Sequence, residues 1–418
     1  MPAHSTHDEV NSVKTNITLH PILLRNLSRN GIHDLTAFQK ESFKTIYSGR
    51  DTIAIAPTGT GKTAAALLPL ISMQLEETPD MSAILVLVPT RELCRQSGRT
   101  AHTLLQDLPL SAVLIHGGQN DDAQGDTPST TEQDIQAADI VVATPGRLSD
   151  YLHRKNSPLP AFSHVVLDEA DRLLDAEFLN DTLQILDMLP YPRQTILTTA
   201  TLPETLAPVL HEILIKPVTI NATDINDAAS AKPRVRQGVM FVTASEKQNL
   251  LLTLLQQRPD QSCIVFSATR EETNALFHFL KSRRMPVASL HGGMDQAIRD
   301  KTTESFRSGK ASILVTTDLM ARGLDIPQVQ QVISLSPPTT PETHIHRIGR
   351  TGRAGRYGWS ITFCDPSERA ALRKIEATIK EHLKVLETPQ NIVAAPPSVR
   401  PKAVIRPKIS RPTKSKKR

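Results

Sequence analysis

DTIAIAPTGTGKTAAALL, Asp51 to Leu68, passes from a short apolar strand through a glycine-containing turn into a strong helix former. Gly59 and Gly61 let the backbone turn its N–H groups toward an anion, Lys62 supplies a point charge, and Thr63 opens the helix with a hydroxyl suited to magnesium. A strand feeding such a turn and then a helix is one unit of a parallel α/β sheet, whose ligands sit at the carboxyl ends of the strands. Thr58, Gly59, Thr60, Gly61, Lys62 and Thr63 are therefore candidates to bind the phosphates of a nucleoside triphosphate. The loop opens at Ala56, where the general pattern has glycine.

Further on, VVLDEADRLL, Val165 to Leu174, ends another apolar strand in three carboxylates, Asp168, Glu169 and Asp171. Two unit charges about 4 Å apart repel by roughly 4 kcal/mol at an effective dielectric near 20, so the cluster implies a cation or donors that disperse the charge. Taken alone it reads equally well as an acidic first helical turn complementing the macrodipole. With a phosphate loop in the same sheet the metal reading prevails: Asp168 beside Thr63 holds Mg²⁺, partly through water, and Glu169 orients the water that attacks the γ-phosphate.

The chain repeats itself. AILVLVPTRE (Ala83 to Glu92) is echoed by SCIVFSATRE (Ser262 to Glu271), VLIHGGQN (Val113 to Asn120) by ASLHGGMD (Ala288 to Asp295), and DIVVATPGRL (Asp139 to Leu148) by SILVTTDLMARGLD (Ser312 to Asp325). The order is the same, with spacings of 26 and 28 residues through Thr90, His116 and Thr144 against 22 and 25 through Thr269, His291 and Thr316. Each half alternates short β-branched strands with amphipathic helical segments, and strands this apolar are buried on both faces. NATDINDAASAKPRVRQ between the halves is polar and small and reads as a linker. The expected organisation is an extension over 1–17, a first domain over 18–222, a linker over 223–234, a second domain over 235–386 and a tail over 387–418.

The 418 residues, 39% apolar and 22% charged, suffice for two cores. No apolar run approaches the roughly 18 residues of a membrane span, and MPAHSTHDEVNSVKTN lacks the apolar stretch of a secretory signal. Three widely spaced cysteines, Cys94, Cys263 and Cys364, argue against a disulfide framework or a zinc site, so a reducing cytoplasmic compartment is expected. The net charge of +5 is concentrated: nine of the 48 Lys/Arg and none of the 43 Asp/Glu lie in 397–418, which leaves the rest at −4. That proline-punctuated tail is expected to be disordered and to contact phosphates without sequence preference.

With GTGKT and DEAD both present, the chain resembles the DEAD-box ATP-dependent RNA helicases of superfamily two, over about Leu19 to Phe363. Its compact length and short flanks are similar to bacterial RhlE-like members. The resemblance implies two tandem RecA-like domains, each a mainly parallel sheet flanked by helices, with ATP and Mg²⁺ as cofactors and RNA as partner. NGIHDLTAFQ resembles the family's Q motif, so Gln39 would read adenine, although Leu35 and Ala37 stand where prolines are usual and Lys14 where an aromatic is. By resemblance, Pro89, Thr90, Arg91, Gly118, Thr144, Pro145, Gly146 and Arg147 touch RNA from the first domain, and Arg299 and Thr317 from the second. TTAT stands where Ser-Ala-Thr is usual, so Thr199 and Thr201, with Asp171 and His346, would couple hydrolysis to strand separation. Gly323 and Asp325 would approach the nucleotide. In HIHRIGRTGRAGR, His344 takes a place usually aromatic, and Arg350 and Arg353 would be arginine fingers worth about 10³ to 10⁵ in rate.

The implied activity is an RNA-dependent ATPase that separates short duplexes or remodels RNA–protein complexes, acting as a monomer without sequence preference, with ribosomal or RNA-decay complexes as candidate settings. An ATP-gated RNA clamp or assembly factor with little unwinding is the alternative, and a DNA helicase of the same superfamily is disfavoured by the DEAD tetrad with Gln39 upstream.

Overall fold

A computed structural model of the chain describes residues 17–76, 83–117, 132–153, 161–225, 235–318, 329–352, 357–390 and 392–395. Its strands are β1 (Thr52–Ile55), β2 (Ala83–Leu87), β3 (Ala112–Ile115), β4 (Ile140–Ala143), β5 (Phe162–Asp168), β6 (Gln194–Thr199), β7 (Val218–Asn221), β8 (Val235–Phe241), β9 (Cys263–Ser267), β10 (Val287–Leu290), β11 (Ile313–Thr317), β12 (Gln331–Ser334), β13 (Gly358–Cys364) and β14 (Lys384–Val385). They form two seven-stranded sheets, ordered β3-β4-β2-β5-β6-β1-β7 and β10-β11-β9-β12-β13-β8-β14. Counted from the first strand of each, the two orders are the same, so the sequence repeat is a repeat of topology. Every pairing between named strands is parallel. This is the tandem RecA-like arrangement that the sequence implies.

Alternation explains why both faces of each sheet are covered. In β2, Ile84 and Val86 enter one core while Ala83, Leu85 and Leu87 enter the other; in β4, Ile140 and Val142 part from Val141 and Ala143 in the same way. The first face receives Leu67, Leu70 and Ile71 of the helix Lys62–Glu76 and Leu104 of the helix Arg91–Leu105. The second receives Ile185 and Leu186 of the helix Leu179–Met188 and Leu148 of the helix Pro145–His153. Each such side chain contributes about 1.5–3 kcal/mol on burial. The second lobe is built likewise: Val265, Val315 and Ile333 pack against Leu250, Leu276 and Leu280, and Ile264, Leu314 and Val332 lie on the opposite face with Phe306.

The expected linker lies outside the described residues beyond Ile225. The packed body of the second lobe continues past Leu386, where a tail was expected to begin. β14 pairs with β8, Leu386 N donates to Val239 O at 2.8 Å, Leu386 covers Gly238, and Ile392 and Ala395 join the core. Apolar contact with an otherwise open sheet edge holds this segment. Residues 1–16 and the basic stretch 397–418 lie outside the described residues. Cys94, Cys263 and Cys364 are buried and unpaired, and burial pushes each thiol up, Cys94 to about 12.

Candidate active site

β1 delivers the chain into the glycine turn. Gly59 and Gly61 take positive φ values of 82° and 77°, a region that favours glycine because it has no Cβ. A Cβ on Gly61 would also lie 2.6 Å from Gln39 Nε2, so the glutamine rests directly over the loop. Thr36 and Gln39 form a capping box: Gln39 N donates to Thr36 Oγ1 at 3.1 Å and Thr36 N to Gln39 Oε1 at 2.9 Å. Its amide oxygen is thus fixed by its own helix start, and its amide nitrogen faces the phosphate turn. Thr60 Oγ1 donates to Pro57 O at 2.8 Å. Lys62, 8% exposed, donates from Nζ to Ala56 O at 3.0 Å and Pro57 O at 3.2 Å, clasping the loop it belongs to.

β5 runs two strands away from β1, across β6, and brings Asp168 to the helix that follows the loop. Thr63 Oγ1 donates to Asp168 Oδ2 at 2.5 Å, Thr198 Oγ1 donates to Oδ1, and Glu169 N donates to the same Oδ1 at 3.1 Å. Three donors disperse the Asp168 charge, so the crowding of carboxylates is met partly by hydroxyls. Glu169 turns the corner with φ of 56°, a left-handed conformation that costs a non-glycine residue about 1 kcal/mol or more. Its Oε2 is buried with no hydrogen-bond partner among the described residues. Among those residues no group of three or more His, Cys, Asp or Glu converges on a metal position. Thr63 and Asp168 offer two protein oxygens, which fits magnesium, an ion bound by one or two carboxylates with water and substrate phosphates.

Asp171 lies one step further along and faces the second lobe. Its Oδ2 accepts from Thr201 Oγ1 at 2.8 Å and from His346 Nε2 at 3.1 Å, with both ends of the His346 pair nearly buried. Burial works to raise its carboxyl, but hydrogen bonds from His346 and Thr201 and the His346 charge hold it below the usual carboxylate range. Thr199, fully buried, donates to Thr201 O at 2.6 Å and shapes the turn that aims Thr201. A second contact joins the lobes at the phosphate loop, where Thr58 Oγ1 donates to Gly349 O at 3.5 Å. Arg350 is the next residue in the chain, and its backbone oxygen accepts from Val329 N at 3.3 Å. Arg347 has a different occupation: Nε and Nη2 clamp Asp318 at 2.6 and 2.7 Å, Nη1 donates to Ser336 O at 3.0 Å, and the guanidinium lies over Phe266. Arg353, Gly323 and Asp325 lie outside the described residues.

The remaining candidates gather on the other half of each sheet, after β2, β3 and β4 in one lobe and after β9, β10 and β11 in the other. Pro89 leads into Thr90, which caps the helix Arg91–Leu105 by accepting from Leu93 N at 3.3 Å, and Arg91 lies against Gly117. Thr144 closes β4, and Pro145, Gly146 and Arg147 form the first turn of the next helix. Thr317 ends β11, and Arg299 donates from Nη2 to Gly292 O at 2.9 Å. Gly118 is outside the described residues. Sequence reading passed over Thr198 and Arg270. The latter covers Gly292 and Gly293 as Arg91 covers Gly117, and the repeated Thr-Arg-Glu triplet is the signal that could have found it. The arginines leave an electrostatic trace: His116 is lowered by burial first and then by Arg95 and Arg91, and His291 by burial and then by Arg270 and Arg299. Both lobes thus present electropositive strand ends of the kind that line a phosphodiester backbone.

Two like lobes, with a phosphate loop and clustered carboxylates on one and Gly349 and His346 of the other in contact with them, define a nucleoside triphosphatase whose site spans a cleft. Residues 36–209 match the DEAD/DEAH box helicase family and residues 246–355 the helicase conserved C-terminal domain. The chain is 36% identical to the ATP-dependent RNA helicase DbpA of Escherichia coli over 89% of its own length and 79% of that protein. It is 35% identical to the DEAD-box ATP-dependent RNA helicase RhpA of Helicobacter pylori, over 88% and 72%. Among solved structures, Dbp5 of S. cerevisiae bound to RNA and ADP BeF3 superposes with a TM-score of 0.77 at 28% identity, covering 90% of this chain and 95% of that one. The chain belongs to the DEAD-box ATP-dependent RNA helicases.

Proposed function

We propose that the chain is an RNA-dependent ATPase that separates short RNA duplexes, or displaces protein from RNA, by closing its two lobes on a single strand. The observation that carries this reading is the contact of Thr58 with Gly349, which ties the phosphate loop to the turn bearing Arg350. Lys62 and the loop amides bind the β- and γ-phosphates of ATP, and Gln39 recognises the base. Thr63 and Asp168 would hold a magnesium ion, which would supply neutralisation of phosphate charge when bound. Glu169, with an unengaged buried oxygen, orients the attacking water and accepts its proton. Arg350, with Arg353, meets the developing charge on the γ-phosphate. The site is complete only when the lobes meet, and Asp171, Thr201 and His346 tie that closure to the DEAD turn.

RNA lies along the electropositive strand ends through Thr90, Arg91, Gly118, Thr144, Arg147, Arg299 and Thr317. Such contacts reach sugar and phosphate, so sequence preference is slight, and 2′-hydroxyls distinguish RNA from DNA. Because ATP and RNA favour the same closed form, each tightens binding of the other by the same factor. No helix among the described residues is long and apolar enough to cross a membrane, and the chain acts as a cytoplasmic monomer, with ribosome assembly and RNA decay as candidate settings.

The test is steady-state ATP hydrolysis with and without single-stranded RNA, in the intact chain and in Glu169→Gln. The intact chain should be RNA-stimulated, and the variant should bind ATP and RNA while turning over at least about 10²-fold more slowly, the scale of a lost general base. Normal turnover in the variant removes Glu169 from the reaction. A duplex assay with RNA and DNA substrates, run with ATP and with a non-hydrolysable analogue, separates unwinding from clamping.

A further inference from the structure

The lobes meet at a third place, remote from the nucleotide. Arg95 lies one turn beyond Arg91 on the helix Arg91–Leu105, and its Nη1 reaches Asp300 Oδ1 of the helix Gln296–Arg307 at 3.6 Å. The same Oδ1 accepts from Gln296 Nε2 at 2.9 Å, and Gln296 Oε1 accepts from Arg299 Nη1 at 3.4 Å. Arg299 Nη2 in turn holds Gly292 O. A continuous run of contacts therefore leads from the first lobe to the glycine pair of the second. Arg299 Nε is buried and has no partner among the described residues, so this guanidinium is held on two sides with one donor unengaged.

We infer that Arg95 and Asp300 are a closure-dependent positioning pair, which fixes Gln296 and through it Arg299 in the orientation that grips RNA. The inference rests on the functional reading above and adds to it a device on the RNA side of the cleft. Its partners sit on different lobes, so the pair exists only when the lobes are closed. Lone Asp300 leaves Gln296 anchored from its own helix alone; Arg95 turns that anchor into a junction between lobes. The pair borders a cavity of about 320 Å³ lined by Arg95 and Arg99 from one lobe and Asp300 and Thr303 from the other. It is also solvent-accessible, with side-chain exposures of 36% and 59%, so its effect is modest, about two- to fivefold.

The sign of one substitution separates this role from simple charge. Asp300→Asn removes a negative charge from beside a polyanion, which by charge alone should tighten RNA binding in every state. A positioning pair predicts the opposite, and only in the closed form. Binding of a fluorescein-labelled oligouridylate to the full chain is measured with a non-hydrolysable ATP analogue and without nucleotide. Expected for Asp300→Asn is a two- to fivefold loss of affinity with the analogue and no loss without it. Arg95→Gln should give the same closed-state loss, and the double variant Arg95→Gln with Asp300→Asn should lose no more than either single change, because all three break the same contact. Affinity that rises, stays level with the analogue, or falls equally in both states overturns the proposal, as do losses that add in the double variant. A wild-type chain whose RNA affinity ignores the analogue overturns the functional reading, and this inference with it.

Discussion

His344 is 1% exposed, with Nε2 against Gln237 Oε1 at 2.9 Å and Nδ1 without a partner among the described residues. Burial first, and then the Arg347 guanidinium, pushes its pKa down from 6.5 to about 4. A histidine depressed in this way takes up its proton more readily when unfolded, so its contribution to stability is intact above pH 6.5 and is lost as pH falls toward 4. Between pH 7.5 and 5.0 that loss is about 2 kcal/mol. Trp359, the single tryptophan, lies in β13 of the same lobe and reports its unfolding in urea. Wild type should lose about 2 kcal/mol more over that interval than His344→Phe, which keeps a ring and cannot titrate. Equal losses would mean that the ring charges without penalty in the folded lobe. The sequence marked His344 as a departure but could not assign it, because burial and the approach of Arg347 are tertiary facts. For the same reason the arginines of HIHRIGR looked alike in sequence, although Arg347 is consumed by Asp318 and Ser336 while Arg350 follows Gly349, which touches the phosphate loop.

The helix Pro341–Ile348 ends at Gly349, whose φ of −62° is open to any residue, so the glycine is not needed for the turn. It is needed for the neighbour: an added Cβ would strike Thr58 Oγ1 across the cleft and lie 3.3 Å from Ile345 O. Gly349→Ala should leave each lobe folded and hold the lobes apart at the phosphate loop. RNA-stimulated turnover should fall by about tenfold or more, as expected when a catalytic group is displaced by roughly 1 Å. Circular dichroism and ATPase rates on one preparation check both halves of this, and unchanged stimulated turnover would mean that the loops pass each other freely. Elements of this kind were unevenly legible. The paired sheets could be read because three strand-and-turn signatures recur in order, and short continuous apolar runs made most strands distinct. β14 could not, since it is two exposed residues with no pattern; its pairing with β8 makes it a strand, and Leu386 over Gly238 and Ile392 in the core hold it there.

What joins the lobes was the least visible in sequence, because the contacts of Thr58 with Gly349, Asp171 with His346 and Arg95 with Asp300 tie residues far apart in the chain and follow no local period. Strand ends carrying phosphate-loop and DEAD motifs were legible; the expectation that arginines of the second lobe meet them was supplied by resemblance. The same whole-chain view gives the basic segment 397–418 a direction. That segment lies outside the described residues, but its root does not: Ala395 N donates to Phe241 O at 3.2 Å, at the carboxyl end of β8. All the strands of that sheet run parallel, so the root lies at the end of the sheet that carries Arg299 and Thr317, while Arg350, beside Val329 ahead of β12, lies at the other end. The nine Lys/Arg of 397–418, with no Asp/Glu, follow this root in the sequence. Each phosphate neutralised on a single strand steepens the fall of binding by about 0.7 log units per decade of salt. Removing 397–418 should flatten the salt dependence by about 2 log units per decade if three of the nine make contact, and weaken binding most at low salt. Closure should persist, since the three cross-lobe contacts lie elsewhere, so the factor by which a non-hydrolysable ATP analogue tightens RNA binding should match wild type. A truncated chain with an unchanged salt slope would assign the segment to another partner, and one that lost its response to the analogue would make it part of the closing device.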